Sequence, residues 1–259
     1  MTNPVMFPVK DSYRTIPHAL GFPIVVTSNT TLTVGPGVIR DWNNTQDINL
    51  GGFDTATPII TTLNFSINGI NGLDTGTIAA STVYTIFVIN DIRGIHIPQV
   101  LASASRTAPV LPFGYNDFAI IGYAVTDSSS HLIILNICGN GPERVAYFDT
   151  APVIFSGSAG GAFAAKSLQH LAPAIDAMEV GVIFAFSAAT AANSVAVRPT
   201  GSIATAGVVI GSSDVVTVLQ TFNEPVVTRL SGGYPSFDVA TTSSSDTLSA
   251  SLYWFKYAI

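Results

Sequence analysis

Apolar residues along this chain come in short runs, many at a period of two, separated by clusters of Gly, Asn, Asp and Ser. Leu63-Asn-Phe-Ser-Ile67 alternates cleanly, which predicts a strand with Leu63, Phe65 and Ile67 on one face. Tyr84-Thr-Ile-Phe-Val-Ile89 is apolar on both faces, the pattern of a central strand. In the first half, strands are expected at Ile24–Thr27, Thr31–Val34, Val38–Arg40, Pro58–Ile67, Val83–Ile89, Gln99–Ser103, Phe118–Thr126, His131–Ile137 and Val145–Phe148. In the second half they are expected at Val153–Ser156, Val180–Ser187, Ser194–Pro199, Gly207–Ile210, Asp214–Phe222, Ser236–Thr241 and Thr247–Ala258. The last is aromatic-rich, and a long terminal strand of this kind is expected to be sewn into a sheet. Asn68-Gly69 and Asn71-Gly72 are turn signals, and Asp127-Ser-Ser-Ser130 reads as a hairpin loop between two apolar runs. Ala162–His170 is the single helix candidate.

These elements predict an all-β chain: two β-sandwich or jelly-roll-like domains, residues 31–150 and 151–259, after an extended N-terminal arm of residues 1–30. The arm carries Pro4, Pro8, Pro17 and Pro23, each of which removes a backbone donor and restricts its predecessor. Arms of this type lie on other surfaces, and Phe7, Tyr13 and Phe22 are its candidate anchoring residues.

Composition sharpens the picture. Of 259 residues 47 % are hydrophobic, only 10 % are charged, and Thr, Ser, Ala, Gly and Asn fill the polar positions. About a quarter charged is usual for a soluble domain. With so little charge to keep copies apart, the surface suits a protein covered by neighbours. The net charge of -6 and the scattered Lys and Arg argue against nucleic-acid binding, which needs clustered bases. Mean hydropathy is +0.46, yet the apolar runs have strand length, and a spanning helix needs about 20 residues. No membrane insertion is expected. The first residues have neither a basic nor an apolar signal region, so synthesis in a host cytoplasm without a signal peptide is expected. Cys138 is a lone cysteine and reads as a buried strand residue.

Several segments carry a resemblance. Gly72-Leu-Asp-Thr-Gly-Thr-Ile-Ala-Ala-Ser-Thr-Val-Tyr-Thr-Ile-Phe-Val-Ile89 leads to Val100-Leu-Ala-Ser-Ala-Ser-Arg-Thr-Ala-Pro-Val-Leu-Pro-Phe-Gly-Tyr115 and then Phe118-Ala-Ile-Ile-Gly-Tyr-Ala-Val-Thr-Asp127. Together they resemble a module of tail-fibre and other virion structural proteins of tailed phages and prophages. Leu32–Asp41 and the Arg198-Pro-Thr-Gly-Ser202 hairpin are also similar to that family, so the likeness covers most of residues 31–202. The family's Trp-Tyr-His is Val83-Tyr84-Thr85 here, and its paired Arg is Ala119-Ile120, which removes polar groups. Between the strands, Ala108–Tyr115 is an extended connection with prolines at 109 and 112, and Leu111, Phe113 and Tyr115 are expected to plug the end of a sandwich.

Chemistry is sparse. Ser156-Gly-Ser158-Ala-Gly160 comes closest to a nucleophile elbow but reads as a flexible loop. Asp41, Asp47, Asp54 and Asp74 sit in turn-like contexts, where Asp bonds its own backbone. Asp41-Trp-Asn-Asn-Thr-Gln-Asp47 offers oxygen ligands but lacks a calcium-loop spacing. His18, His96, His131 and His170 are scattered and read as surface or loop residues. No catalytic, cofactor-binding or metal-binding residues are assigned. Trp42, Tyr115, Tyr123 and Tyr234 are loop or edge aromatics, and Trp42, Tyr115 and Tyr234 are the candidate receptor contacts.

The expected function is that of a non-enzymatic structural protein of a tailed-phage particle. It would self-associate, as a trimer, and meet other virion proteins through its arm. The alternatives are a tail module that binds a host-surface glycan through loops 127–130, 190–193 and 231–236, and a polysaccharide depolymerase.

Overall fold

The β-branched and aromatic runs form twenty strands, and there is no helix among the described residues. The computed structural model describes residues 19–52, 59–139, 143–158, 161–175, 178–190, 193–202, 207–213 and 220–258. Four sheets result. The first joins β1 (Ala19–Gly21), β4 (Gly37–Arg40) and β5 (Asp47–Leu50). A second, three-stranded sheet has β7 (Val83–Asn90) between β8 (Gln99–Ser103) and β9 (Asp117–Val125). A five-stranded sheet is built on β19 (Tyr234–Thr241) and holds β13 (Ala164–Ser167), β15 (Asn193–Pro199), β16 (Val208–Ser213) and β18 (Arg229–Ser231).

The largest sheet has nine strands. Its order runs β17 (Gln220–Val227), β14 (Glu179–Ser187), β20 (Thr247–Ala258), β11 (Glu143–Phe148), β10 (Leu135–Cys138), β2 (Ile24–Val26), β3 (Thr31–Val34) and β6 (Thr61–Asn64). The ninth strand, β12 (Val153–Ser158), also pairs with β20. Two of the smaller sheets pack on this one, and the β1–β4–β5 sheet lies against β7 and β9. Tyr123 of β9 meets Tyr257 of β20 edge-to-face at 5.0 Å, and Phe184 of β14 meets Phe237 of β19 at 6.1 Å. Gly122 gives β9 room, since a Cβ there would lie 2.7 Å from Ile24 and 3.2 Å from the Tyr257 hydroxyl. One apolar cluster therefore runs from Ala19 to Tyr257.

The all-β architecture of packed sheets is the one the periodicity predicts. Thr31–Val34, Gln99–Ser103 and Thr247–Ala258 have their expected bounds, and β7 is central and buried. The expected boundary at residue 150 coincides with no break between sheets. β11, from one side of it, pairs directly with β20, from the other. Residues 19–30 are likewise no free arm, because β1 and β2 are hydrogen-bonded into two different sheets.

Four local readings need correction. Ala164–Ser167 is an edge strand where a helix was expected, paired with residues 236–239 of β19. Its alanines satisfy either conformation, and the β19 edge decides. Ser156-Gly-Ser158 belongs to β12, where Ser158 Oγ donates to the Ser244 carbonyl at 2.7 Å. Ile67 is exposed, because β6 ends at Asn64 and the chain turns before the alternation is complete. Cys138 is in a strand but exposed, being its last residue. The 127–130 hairpin forms as expected: Asp127 and His131 pair through their backbones, and the Asp127 carboxylate accepts from Ser129 and His131 N–H, each at 2.8 Å.

A bulge tunes the central strand. Gly181 pairs with Trp254 and Val182 with Leu252, which leaves Tyr253 as the extra residue. The buried side chains are Leu248, Ala250 and Leu252 before it, then Phe255 and Tyr257 after it. The extra residue moves the core-facing set from even to odd positions. Gly181 permits this arrangement, because a Cβ would sit 2.1 Å from the Trp254 indole nitrogen. We expect Gly181→Ala to lower stability by about 1–3 kcal/mol, the usual cost of forcing atoms into a packed site. Urea unfolding checks this, and an unchanged midpoint would show that the indole swings aside freely.

Candidate functional site

The aromatic residues singled out by the sequence divide sharply. Phe7 and Tyr13 lie outside the described residues, as do His18 and Asp54. Phe22 is fully buried and anchors the fold rather than an external arm. It sits in a left-handed conformation (φ 57°) at the corner where the chain passes from β1 to β2. Arg144 of β11 secures that corner. Its guanidinium donates to the Gly21 carbonyl at 2.8 Å and the Phe22 carbonyl at 3.2 Å, and lies 6.0 Å from the Phe22 ring centre. Burial pulls the Arg144 pKa down, partly offset by Tyr257, its cross-strand neighbour. Burial in turn drives the Tyr257 hydroxyl strongly upward.

Tyr115 is buried and serves as a plug. Its hydroxyl donates to the Ile97 carbonyl at 3.0 Å and its ring stacks on His96, so it is not a receptor contact. Tyr123 is equally buried, inside β9. Leu111 packs partly on the core, but Phe113 does not plug anything and is 100 % exposed. Trp42 and Tyr234 remain exposed. Trp42 stacks on Phe118 at 5.9 Å. Tyr234 is held by a two-residue Gly232-Gly233 hairpin, both glycines at positive φ, as tight hairpin turns require.

Each of these two aromatics borders a cleft. Tyr234 lies on the largest described, about 530 Å³, with His170, Tyr123, Thr85 and Arg106. Trp42 lies on a smaller one of about 280 Å³, with Asp41, Ile39 and again Arg106. Arg106 is the residue the two share, and sequence reasoning missed it. Its signal was rarity: it is one of ten Lys and Arg residues in the chain, set in the connection after β8. Arg106 Nε donates to the Tyr123 hydroxyl at 3.2 Å, and Nη1 reaches the Ala174 carbonyl at 3.4 Å. Burial raises the Tyr123 pKa, and Arg106 counteracts this.

Asp41, Asp117 and Asp74 are held by hydrogen bonds within the protein. Asp41 accepts from the N–H groups of Thr45 and Gln46 and from the Thr45 hydroxyl, so its carboxylate closes its own loop. Asp117 accepts from Gln46 Nε2 at 3.0 Å and from its neighbour's N–H at 2.9 Å. Burial raises the Asp117 pKa, with nearby Asp41 adding to the effect. Asp74 accepts from the Ser103 hydroxyl and Val110 N–H and ties two loops together. These carboxylates serve loop architecture, as turn aspartates do.

A second feature stands at one end of the three-stranded sheet. The β7–β8 loop carries Ile92, Ile95 and Ile97, and the β8–β9 loop carries Phe113; all four are exposed, Ile97 by 72 %. The loops are bound to each other. Arg93 reaches the Gly114 carbonyl, Ile92 N–H donates to Asn116, and His96 lies where a Cβ on Gly114 would be. Asp91 anchors the first loop, accepting from Arg93 N–H at 3.0 Å and Nε at 2.9 Å. The tip is thus a braced apolar surface.

Comparison with known proteins adds little. No family model and no curated protein matches the chain. Among solved structures it is similar to a chain in the "Structure of infectious bursal disease virus Gx strain", at 13 % identity, with 93 % of this chain and 67 % of that one covered. The TM-score of 0.22 is too low for this likeness to carry any conclusion.

Arg93 holds the Asp91 carboxyl at about 2, well below its ordinary value of 3.8. A depressed carboxylate stabilises the fold fully above its unfolded pKa and loses that contribution as pH falls through the folded one. Asp91→Asn should therefore be less stable than wild type above pH 4, with the gap closing between about pH 4 and 2. Denaturant melts across that range check it; a gap constant with pH would refute the ion-pair origin. Arg144→Met should cost about 1–3 kcal/mol in the same assay, because the buried Phe22 carbonyl loses this donor.

Proposed function

We propose that the chain is a non-enzymatic structural protein of a virus particle, of the tailed-phage kind its sequence segments resemble, and that it works as a self-associated unit, a trimer. The observation that carries this reading is the braced tip of Ile92, Ile95, Ile97 and Phe113. Apolar patches of this kind on a soluble protein mark contact sites. Holding both loops rigid before contact lowers the ordering cost of association. The low charge of the whole chain points the same way, since little repulsion opposes close approach of copies.

A glycan-binding module is the second reading. It is favoured by Tyr234, the one sequence-selected aromatic that is both exposed and set on the largest cleft described. The depolymerase alternative gains no support from carboxylates that are hydrogen-bonded into their own loops.

Light scattering on the purified chain should give the mass of three copies. Ile95→Ser with Phe113→Ser should reduce it to one copy while leaving the far-ultraviolet circular dichroism spectrum unchanged, as expected for exposed positions. A wild-type monomer would overturn self-association, and an unchanged trimer in the double variant would overturn the role of the tip.

A further inference from the structure

We propose that the cleft between Arg106 and Tyr234 is a binding site for a carboxylate-bearing sugar, of the uronic-acid type. The inference rests on the glycan-binding reading and gives it a ligand class.

Charge selects the class. Among the described residues lining the cleft, Arg106 and His170 are the basic ones and none is Asp or Glu. This is notable in a chain with more acidic than basic residues. Arg106 spends Nε on Tyr123 and one Nη1 donor on Ala174. A guanidinium has five donors in a fixed fork, so three remain for a planar acceptor such as a carboxylate. The two bonds to the protein also fix the guanidinium in place, so little side-chain entropy is left to lose on binding.

Shape and ring chemistry select the sugar. A volume of about 530 Å³ falls within the usual range for small-ligand sites. Tyr234 and His170 stand 6.3 Å apart, inclined at 49°, and form an aromatic wall at the side of the cleft. Both are held. Tyr234 follows the Gly232-Gly233 turn, and the next residue's carbonyl accepts from Leu168 N–H at 2.8 Å, which joins its strand to the segment carrying His170. His170 itself adopts a left-handed conformation (φ 71°) in the turn at residues 169–171. The apolar face of a pyranose can lie on such a wall while its hydroxyls meet Thr82, Thr85 and Ser81. A carboxylate on the ring then faces Arg106.

Saturation-transfer NMR and calorimetric titration test this with three probes: a glucuronic-acid oligosaccharide, the same oligosaccharide with glucose in place of the acid, and sodium acetate. Wild type should bind the acidic oligosaccharide at least about tenfold more tightly than the neutral one, the increment of a charge-assisted pair, and more weakly as salt is raised. Acetate alone should bind too weakly to saturate. Arg106→Gln should abolish the preference for the acid, and Tyr234→Ala should weaken both sugars while leaving the fold intact. Should Arg106→Gln unfold, Arg106→Lys keeps the charge without the fork and should lose at least half the preference. Equal binding of the two oligosaccharides would overturn the acidic-sugar inference while leaving the glycan reading standing. Absence of binding to either sugar would overturn both, and acetate binding as tight as the oligosaccharide would reduce the site to a simple anion site and refute the sugar.

Discussion

Every large piece of this protein is hydrogen-bonded to the last strand or packed against something that is. Over Thr247–Phe255 one edge of β20 is taken by β14. Its other edge is shared, β12 occupying residues 247–251 and β11 residues 254–258. A twelve-residue strand with both edges filled cannot shift register without breaking three ladders and turning its buried side chains out of the core. The Tyr253 bulge is the necessary adjustment. It lets one continuous strand face two differently placed sets of neighbours, with Gly181 leaving room for Trp254.

The other end of the nine-stranded sheet is secured by a different device. The Gly21–Phe22 corner is crowded, since a Cβ on Gly37 would fall 2.5 Å from the Phe22 ring, and both its carbonyls accept from a side chain. Arg144 satisfies them from β11, one strand away from β20. Among the described residues no carboxylate pairs with this buried guanidinium, and the cost of its burial is offset by two carbonyl bonds and the Phe22 ring. Central spine and peripheral corner are thereby coupled through β11.

Function is carried by what this frame leaves outside it. β7 is buried along its length, yet the loops on either side of β8, which pairs with it, are pinned to each other and present four bare apolar side chains at their tip. The connection after β8 also delivers Arg106 to the junction with the 168–174 segment and Tyr234. The proposed self-association and the proposed ligand cleft thus spring from the same three-stranded sheet, through its loops, while the large sheet keeps those loops in place.

Much of the fold was legible in the chain because strand formation follows local period and side-chain type. Val83–Asn90 and Thr247–Ala258 bury enough of both faces, or alternate clearly enough, to declare themselves. Short edge strands did not: Ala19–Gly21, Asp47–Leu50 and Arg229–Ser231 have too few residues to show a period, and exist because a neighbour offers an open edge. Of the candidate contacts, Trp42 and Tyr234 were recoverable as polar-flanked aromatics, whereas of two expected plugs, two residues apart in one proline-bounded segment, Tyr115 turns inward and Phe113 outward. What the sequence by itself determined is the all-β class, the positions of the long strands and a sparsely charged surface, since these depend on residue type and spacing. Only the tertiary structure decided which strands pair across residue 150, that Phe22 faces inward, and that Arg106 stands between Trp42 and Tyr234, because each depends on contacts between residues far apart in the chain, whose closeness no local pattern records.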